Sequence, residues 1–329
     1  MKSRRRQNNL PLGKTGGLRL FPSFISPPPS AILRSVQFRK ITIIGVGLLG
    51  GSVGLAVRQR RLAGEVAGFV RRAASLTDCE LAGAADYATT DIYAAVSNAD
   101  LVILCPPLAQ MRALTEQFLP ALKPGAIVTD VGSVKADVVH ELESRIAKAG
   151  AHFVGGHPMA GGEKMGVQAA RADLYFNALC IITPTKRSHP GAVRKVEKFW
   201  KALGARTVKM DAAKHDRLVS DTSHLPHVAA AALAALILGP KQPKEQPLLC
   251  ATGFRDTTRV ASGSPEMWRD ISLANRKNLT RSVEALIGEL KQFQMALKKG
   301  KAGEVEKFFA NAKQRRDHWC AGCASPSEE

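Results

Sequence analysis

The sequence predicts an α/β fold with a mainly parallel sheet, followed by an all-α region. Three observations predict it: a glycine-rich turn follows the apolar run at 41–44, strand-like and helix-like segments then alternate, and the last third of the chain is almost entirely helical in pattern. With 329 residues the chain can form two domains. We expect a basic tail at 1–39, an α/β domain at 40–210 and an all-helical domain for substrate binding and dimerisation at 211–329.

Apolar patterns predict the individual elements. Continuous apolar runs bounded by turn residues are typical of strands buried on both faces. They occur at 41–44, 65–70, 101–105, 126–131, 151–154 and 179–183, with a short run at 206–210, and helical stretches include 108–122, 135–149 and 192–203. In the second region we predict long helices at 273–297 and 303–318. The apolar segment 228–238 is predicted to be a helix buried in the core or at a subunit contact, because it has only about half the length needed to span a bilayer.

The first 39 residues differ in composition from the rest. They contain eight Lys or Arg, no Asp or Glu and three consecutive prolines, which indicates a disordered tail. An organelle transit peptide is the alternative, because an Arg-rich, acid-free segment is typical of one. Removing these eight cations lowers the formal net charge from +19 to +11. The remaining excess suits acidic small molecules, and we expect no nucleic-acid partner because no basic stripe with interleaved aromatics occurs.

The six cysteines show no pattern of a disulfide framework. We therefore expect a reducing compartment and a cytoplasmic location. Cys105 and Cys180 lie in apolar strand-like runs and are predicted to be buried free thiols. Cys320 and Cys323 have the spacing of a metal or redox pair, but no second ligand pair accompanies them, so we predict no metal site. We also expect no association with a membrane.

A glycine fingerprint, Gly45-x-Gly47-x-x-Gly50, follows the first predicted strand and opens a helix. In a Rossmann-type domain the first glycine forms a tight turn, the second admits a pyrophosphate and the third lets helix and strand pack. The helix N-terminus then favours the anion. The sequence therefore predicts dinucleotide binding, with contacts from Gly45, Gly47, Leu48, Leu49, Gly50 and Pro106.

The end of the second strand bears on the choice of cofactor. A NAD site usually places Asp or Glu there, to bind the ribose 2′-hydroxyl. This chain has Val70 followed by Arg71 and Arg72. Two guanidinium groups can pair with a 2′-phosphate, unless both are merely solvated. We therefore expect NADP in preference to NAD.

Two candidate catalytic residues follow later strands. Ser133 lies in the run 130–135 (Asp-Val-Gly-Ser-Val-Lys), and His157 lies in the predicted loop 155–161 (Gly-Gly-His-Pro-Met-Ala-Gly). The carboxyl ends of neighbouring strands line one crevice, so both side chains can reach one ligand. A histidine titrates near neutral pH and can take or share a proton. A tight structural turn around His157 is the alternative.

Three further runs complete an ordered set of motifs. They are Ser-His-Leu-Pro-His at 223–227, Gly-Phe-Arg-Asp-Thr-Thr-Arg at 253–259 and Met-Trp-Arg-Asp at 267–270. Together with the fingerprint and the two preceding runs, this set resembles the prephenate/arogenate (cyclohexadienyl) dehydrogenase family of tyrosine biosynthesis over about residues 40–285. The resemblance implies NAD(P)-dependent oxidative decarboxylation of prephenate or arogenate by a homodimer. We favour prephenate only because it is the commoner substrate of the family.

The resemblance also implies roles for single residues. His157 corresponds to the catalytic histidine that accepts the proton of the ring hydroxyl, and Ser133 to the serine that orients it. Residues implied on the substrate side are His227, Ser223, Arg259 for a carboxylate, Trp268, and Glu163 at the pocket mouth. The alternatives are an N-cap role for Ser133 and a core role for Trp268. We expect Lys135 to orient its loop and His224 to pack or cap at a helix start.

Two other functions fit the same layout. A β-hydroxyacid dehydrogenase also joins a dinucleotide domain to a helical one, but it would place a catalytic lysine on the helix that enters the second domain. Lys214 and His215, which occupy that region here, fit this pattern poorly. A non-catalytic NADP-binding sensor would not need His157, Ser133 and Arg259 together. The ordered motifs therefore favour the cyclohexadienyl dehydrogenase.

Overall fold

One mixed sheet forms the first part of the molecule. A computed structural model describes residues 37–324, with side chains to residue 322. The strands are β1 (Phe38–Ile44), β2 (Ala63–Phe69), β3 (Tyr87–Thr89), β4 (Leu101–Leu104), β5 (Ile127–Asp130), β6 (His152–Pro158), β7 (Leu179–Thr183) and β8 (Arg206–Lys209). Their order is β3-β2-β1-β4-β5-β6-β7-β8. All neighbours are parallel except β6 and β7, which confirms the predicted fold class.

Helices connect the strands and then make up the rest of the described chain. Those among the strands are α1 (Leu48–Gln59), α2 (Ala74–Leu81), α3 (Ile92–Val96), α4 (Leu108–Phe118), α5 (Ala136–Lys148) and α6 (Pro190–Ala202). Those after the last strand are α7 (Ala212–Val219), α8 (Leu225–Ile237), α9 (Thr252–Thr258), α10 (Pro265–Ala274), α11 (Arg276–Lys298) and α12 (Ala302–Ala324). The described residues form one compact unit, so a domain division at residue 210 stays a prediction.

Two apolar layers cover the two faces of the sheet. Successive side chains of a strand point to opposite faces. In β1, Ile41 and Ile43 pack into one layer and Ile44 into the other. In β4, Leu101 and Ile103 join the first layer, and the two residues that alternate with them join the second. Continuous apolar runs are needed for burial on both faces, and this is the pattern that predicted these strands.

The strand β6 continues through the segment that the sequence predicted as a loop. Its first half pairs in parallel with β5, and its second half pairs antiparallel with β7, with His157 opposite Ile181. The loop prediction is therefore wrong for residues 155–158. A Cβ on Gly155 would lie 2.4 Å from the Thr183 hydroxyl, and one on Gly156 would lie 2.9 Å from the Asp130 carbonyl. The glycines mark close approach of neighbouring strands, which fixes His157 on the sheet.

Other differences concern short or exposed elements. The sequence predicts neither β3 nor the helices α2 and α3, because elements of three, eight and five residues are too short to show an apolar period. The strand β1 begins at Phe38, inside the segment predicted as tail, and residues 1–36 lie outside the described part of the chain. The predicted helix at 273–297 is two helices separated at Asn275. The cysteine predictions hold in part, because Cys180 is buried whereas Cys105 is half-buried.

The apolar helix α8 is not buried by the described chain. Ala230 is its only buried residue, and Leu236 is 63% exposed. The described chain alone therefore does not bury this helix, and its burial at a subunit contact stays a prediction. Within residues 37–324, no helix combines the length and the apolar character that a bilayer crossing requires.

Candidate active site

The turn between β1 and α1 has the geometry of a pyrophosphate cradle. Gly45 has a φ of +93°, which a residue with a side chain rarely adopts. A Cβ on Gly50 would lie 2.2 Å from the Gly45 carbonyl, whereas one on Gly47 would meet no atom within 4 Å. The first turn of α1 has neither a side-chain cap nor an acidic residue. Open space beside uncapped N–H groups fits the phosphates of a dinucleotide.

Pro106, Arg71 and Arg72, which the sequence predicts to contact the cofactor, follow the two strands next to β1. A Cβ on Gly45 would lie 3.0 Å from the backbone nitrogen of Pro106, so the end of β4 borders the turn. Arg71 and Arg72 follow β2 and are exposed, and neither forms an ion pair with a described residue. Two solvated guanidinium groups thus lie at the end of the strand next to β1.

A buried ion pair ties the loop after β5 to β6. The Asp130 carboxylate accepts hydrogen bonds from the backbone of Gly132 at 2.9 Å and of Gly156 at 3.1 Å, and from the Lys135 ammonium. Lys135 also donates to the Gly156 carbonyl at 2.9 Å, and both charged side chains are fully buried. Breaking such a pair would leave an uncompensated charge. Lys135 therefore orients its loop, as the sequence predicts.

His157 is buried beside a second histidine. The His157 Nδ1 atom lies 2.8 Å from Nε2 of His215, whose own Nδ1 lies 2.8 Å from an oxygen of Asp216. Burial, together with the nearby His215, Lys135 and His224, holds the pKa of His157 well below its usual value of 6.5. The imidazole is therefore neutral at neutral pH and can accept a proton. Its Nε2 atom bonds to no described residue and is not sealed from solvent.

Ser133 lies between β5 and α5, at the same edge of the sheet as His157. No hydrogen bond joins the two side chains within the described residues, so the orienting role of Ser133 stays a prediction. Ser133 is also not the residue that caps α5. The Asp216 carboxylate does this instead, because it accepts from the backbone of Lys135 at 2.7 Å and of Ala136 at 2.8 Å.

A second group of predicted residues surrounds Trp268. The His227 ring lies 3.8 Å from the indole, between centroids, and is tilted by 30°. Its Nδ1–H donates to the Ser223 carbonyl at 2.8 Å. The His224 ring meets the indole edge-on, with the ring centroids 6.0 Å apart. His224 is fully buried, accepts from Asn275 at 3.2 Å and ends a π-helical turn at Ser220–His224, so it packs at a helix start as expected.

Arg259 and Glu163 form an ion pair, although 96 residues separate them in sequence. Glu163 belongs to the loop after β6, and Arg259 follows α9. Both side chains are exposed, at 64% for Arg259 and 39% for Glu163. An exposed ion pair contributes little free energy, so the guanidinium can exchange this partner for a carboxylate of a ligand.

His215 and Asp216 are the site residues that the sequence reasoning missed. They lie on α7. From the sequence, His215 stands out only because it lies where a β-hydroxyacid dehydrogenase would place its catalytic lysine. The available signal was weak: two adjacent polar residues near the start of a helix usually face solvent. The helix α7 instead presses this face against the start of α5, and both side chains are buried.

Comparisons with known proteins cover almost the whole described chain. Residues 53–209 match the family model "Prephenate dehydrogenase, nucleotide-binding domain", and residues 211–311 match "Prephenate dehydrogenase, dimerization domain". A cyclohexadienyl dehydrogenase of Zymomonas mobilis is 32% identical over 282 residues, which are 85% of this chain and 95% of the relative.

Two solved structures are similar in fold and in sequence. The crystal structure of prephenate dehydrogenase from A. aeolicus in complex with hydroxyphenyl propionate and NAD+ has a TM-score of 0.81 at 31% identity, covering 87% of this chain and 99% of that one. Synechocystis arogenate dehydrogenase has a TM-score of 0.70 at 29% identity, covering 85% and 99%. The sheet and the helical region thus both have counterparts within one family.

Proposed function

The chain belongs to the prephenate dehydrogenase family, and on that premise we propose that it catalyses the oxidative decarboxylation of prephenate. It is a nicotinamide-dependent dehydrogenase, as its relatives are. One observation carries the proposed chemistry: a neutral imidazole, His157, leaves its Nε2 open at the sheet edge that holds the glycine turn. His157 lies on β6 and the glycine turn follows β1, and these two strands are three strand spacings, about 14 Å, apart.

His157 acts on the ring hydroxyl of the substrate in this proposal. A bound nicotinamide would supply the acceptor for the hydride that leaves the carbon bearing this hydroxyl. The Nε2 atom accepts the hydroxyl hydrogen bond and shares the proton while positive charge develops on the oxygen. The ring carboxylate then leaves as CO2, its bonding electrons complete the aromatic ring, and the oxygen keeps its proton as a phenol. We expect Ser133 to contact the same hydroxyl once substrate is bound.

The groups near Trp268 and Arg259 would hold the rest of the substrate. Arg259 can form a charge-assisted hydrogen bond with a carboxylate, and His227 with Trp268 offers a polar edge on an apolar wall. Glu163 already has a cationic partner in Arg259. A substrate carboxylate bound to Arg259 would free Glu163, so this pair does not discriminate between prephenate and arogenate. The similarity in fold supports prephenate, because the TM-score is 0.81 for the prephenate dehydrogenase and 0.70 for the arogenate dehydrogenase.

We further propose NADP as the preferred cofactor. A nicotinamide dinucleotide fits the cradle at Gly47, and the choice between its two forms depends on the end of β2. Arg71 and Arg72 are exposed there without ion-pair partners among the described residues. A 2′-phosphate would supply that partner, whereas Val70 gives a ribose hydroxyl no side-chain acceptor.

The chain carries the dimerization domain of its family, and we propose that it forms a homodimer through the helices after residue 211. Exposed leucines support this proposal, since Leu236, Leu248 and Leu249 are 63%, 84% and 82% exposed. Such surfaces usually pair in a closed, two-fold assembly. We also propose a cytoplasmic location, supported by the free state of all described cysteines.

One experiment tests the reaction and the cofactor together. The absorbance at 340 nm is followed with prephenate and with arogenate, each with NAD and with NADP. We expect the highest kcat/KM with prephenate and NADP. His157→Gln should lower kcat by about 10²–10⁴ with a nearly unchanged KM. No turnover with either substrate would refute the reaction, and an NAD preference that Arg71→Ala leaves unaltered would refute only the cofactor proposal.

A further inference from the structure

Three buried side chains form a continuous hydrogen-bonded chain behind the open face of His157. His157 contacts His215 and His215 contacts Asp216, each at 2.8 Å. The exposed fractions of these residues are 7%, 0% and 3%. The two imidazole rings meet edge-on at 74°, with centroids 5.0 Å apart. This geometry suits an in-plane hydrogen bond between ring nitrogens.

The positions of the protons along this chain follow from Asp216. Its two oxygens also accept the backbone N–H groups of Lys135 and Ala136, which is the bonding pattern of a carboxylate. The facing Nδ1 atom of His215 must therefore carry hydrogen. When His215 is neutral its other nitrogen is an acceptor, and Nε2 of His215 then accepts from Nδ1–H of His157. This leaves the lone pair of His157 on Nε2.

We propose that His215 and Asp216 are positioning residues, which hold His157 in the tautomer whose Nε2 accepts the hydroxyl hydrogen of the substrate. This inference rests on the proposed function and adds two residues to its machinery. Without them, the imidazole of His157 could rotate or carry its proton on Nε2, where it would repel the hydroxyl hydrogen. The negative charge of Asp216 also stabilises the positive charge that His157 gains when it shares the proton during hydride transfer. The positive charge of the nearby Lys135 is balanced by Asp130.

Two isosteric variants separate this role from simple packing. In His215→Gln the amide oxygen can take the place of Nε2 and accept from His157. In His215→Asn the shorter amide reaches only the position of Nδ1 and Asp216. We expect His215→Asn to lower kcat by roughly 10–100-fold, the loss of one charge-assisted hydrogen bond. The KM values for substrate and cofactor should stay unchanged, and His215→Gln should recover most of kcat.

The tautomer itself can be measured in the wild-type protein. Long-range 1H–15N spectra of the 15N-histidine-labelled full chain distinguish a protonated ring nitrogen from a bare one. We expect His157 to be protonated on Nδ1 and bare on Nε2, with its signals assigned from His157→Gln. A proton on Nε2 in the wild type would overturn the proposal, whether or not the variants fold.

The kinetic results test the positioning role independently of the tautomer measurement. Wild-type kcat in a folded His215→Asn, or equal loss in the Asn and Gln variants, would also overturn the positioning role. If the wild type turned over neither prephenate nor arogenate, the proposed function would fail, while the tautomer measurement would still decide the hydrogen-bonded chain.

Discussion

Replacing Asp216 with alanine should destabilise the protein strongly, because this carboxylate joins the helical region to the sheet. It accepts hydrogen bonds from the backbone of Lys135 and Ala136 and from His215. The substitution leaves two backbone donors without partners at the start of α5. Each costs about 1–3 kcal/mol, and the lost bond to His215 adds a comparable amount. We expect the free energy of unfolding to fall by about 4 kcal/mol.

The chain offers a matched control five residues upstream. Asp211 caps α7 by accepting from the backbone of Ala213 at 2.9 Å and of Lys214 at 3.0 Å, but it is exposed. Water can replace those bonds, so Asp211→Ala should cost only about 1 kcal/mol. Both variants are measured by urea unfolding at one protein concentration, because a dimer makes apparent stability depend on concentration. Equal losses in Asp211→Ala and Asp216→Ala would refute the reasoning.

Three further predictions address the cofactor, the substrate and pH. Gly47→Ala should raise the KM for NAD(P) without loss of stability. Gly50→Ala should instead unfold at a lower urea concentration, because its Cβ would lie 2.2 Å from a carbonyl. The reverse pattern would contradict the assignment of the glycine turn as the pyrophosphate cradle. Arg259→Ala should raise the substrate KM by about 10–100-fold. Arg255→Ala, four residues upstream on α9, should not raise it, and equal effects would place the carboxylate elsewhere. Burial lowers the pKa of His224 to about 4, so the unfolded chain binds the proton first as pH falls below 6.5. His224 should therefore lower the free energy of unfolding by about 2 kcal/mol between pH 7.5 and 5. The free energy of unfolding is measured for the wild type and for His224→Gln, and a difference between the two that does not change with pH would contradict this.

The sequence predicted the elements whose burial is uniform. The run 41–44 is apolar because both faces of β1 are covered, and the glycine spacing at 45–50 follows from the contacts of a tight turn. These features need only local information. The strand β3 was missed because three half-buried residues carry no comparable pattern.

The errors arose where distant segments decide the outcome. The sequence predicts a loop at Gly155 and Gly156, whereas the structure has a strand in which the closeness of Thr183 and Asp130 requires glycine. Motif order predicts Ser133 as the residue that orients His157, and this role stays a prediction. The partner found in the structure is His215, 58 residues away on α7, and no local pattern links the two.

One carboxylate sets both a tertiary contact and a proton position. Asp216 belongs to α7, after the last strand, whereas the helix that it caps, α5, belongs to the sheet. Its backbone carbonyl in turn accepts from Asn275, between α10 and α11, at 2.8 Å. In the proposed arrangement, His157 keeps its lone pair on the open Nε2 only while His215 remains hydrogen-bonded to this carboxylate. The packing of the helices against the sheet and the basic nitrogen of the active site are therefore determined by the same hydrogen bonds, and a substitution that loosens this packing should reduce kcat even if it touches no ligand.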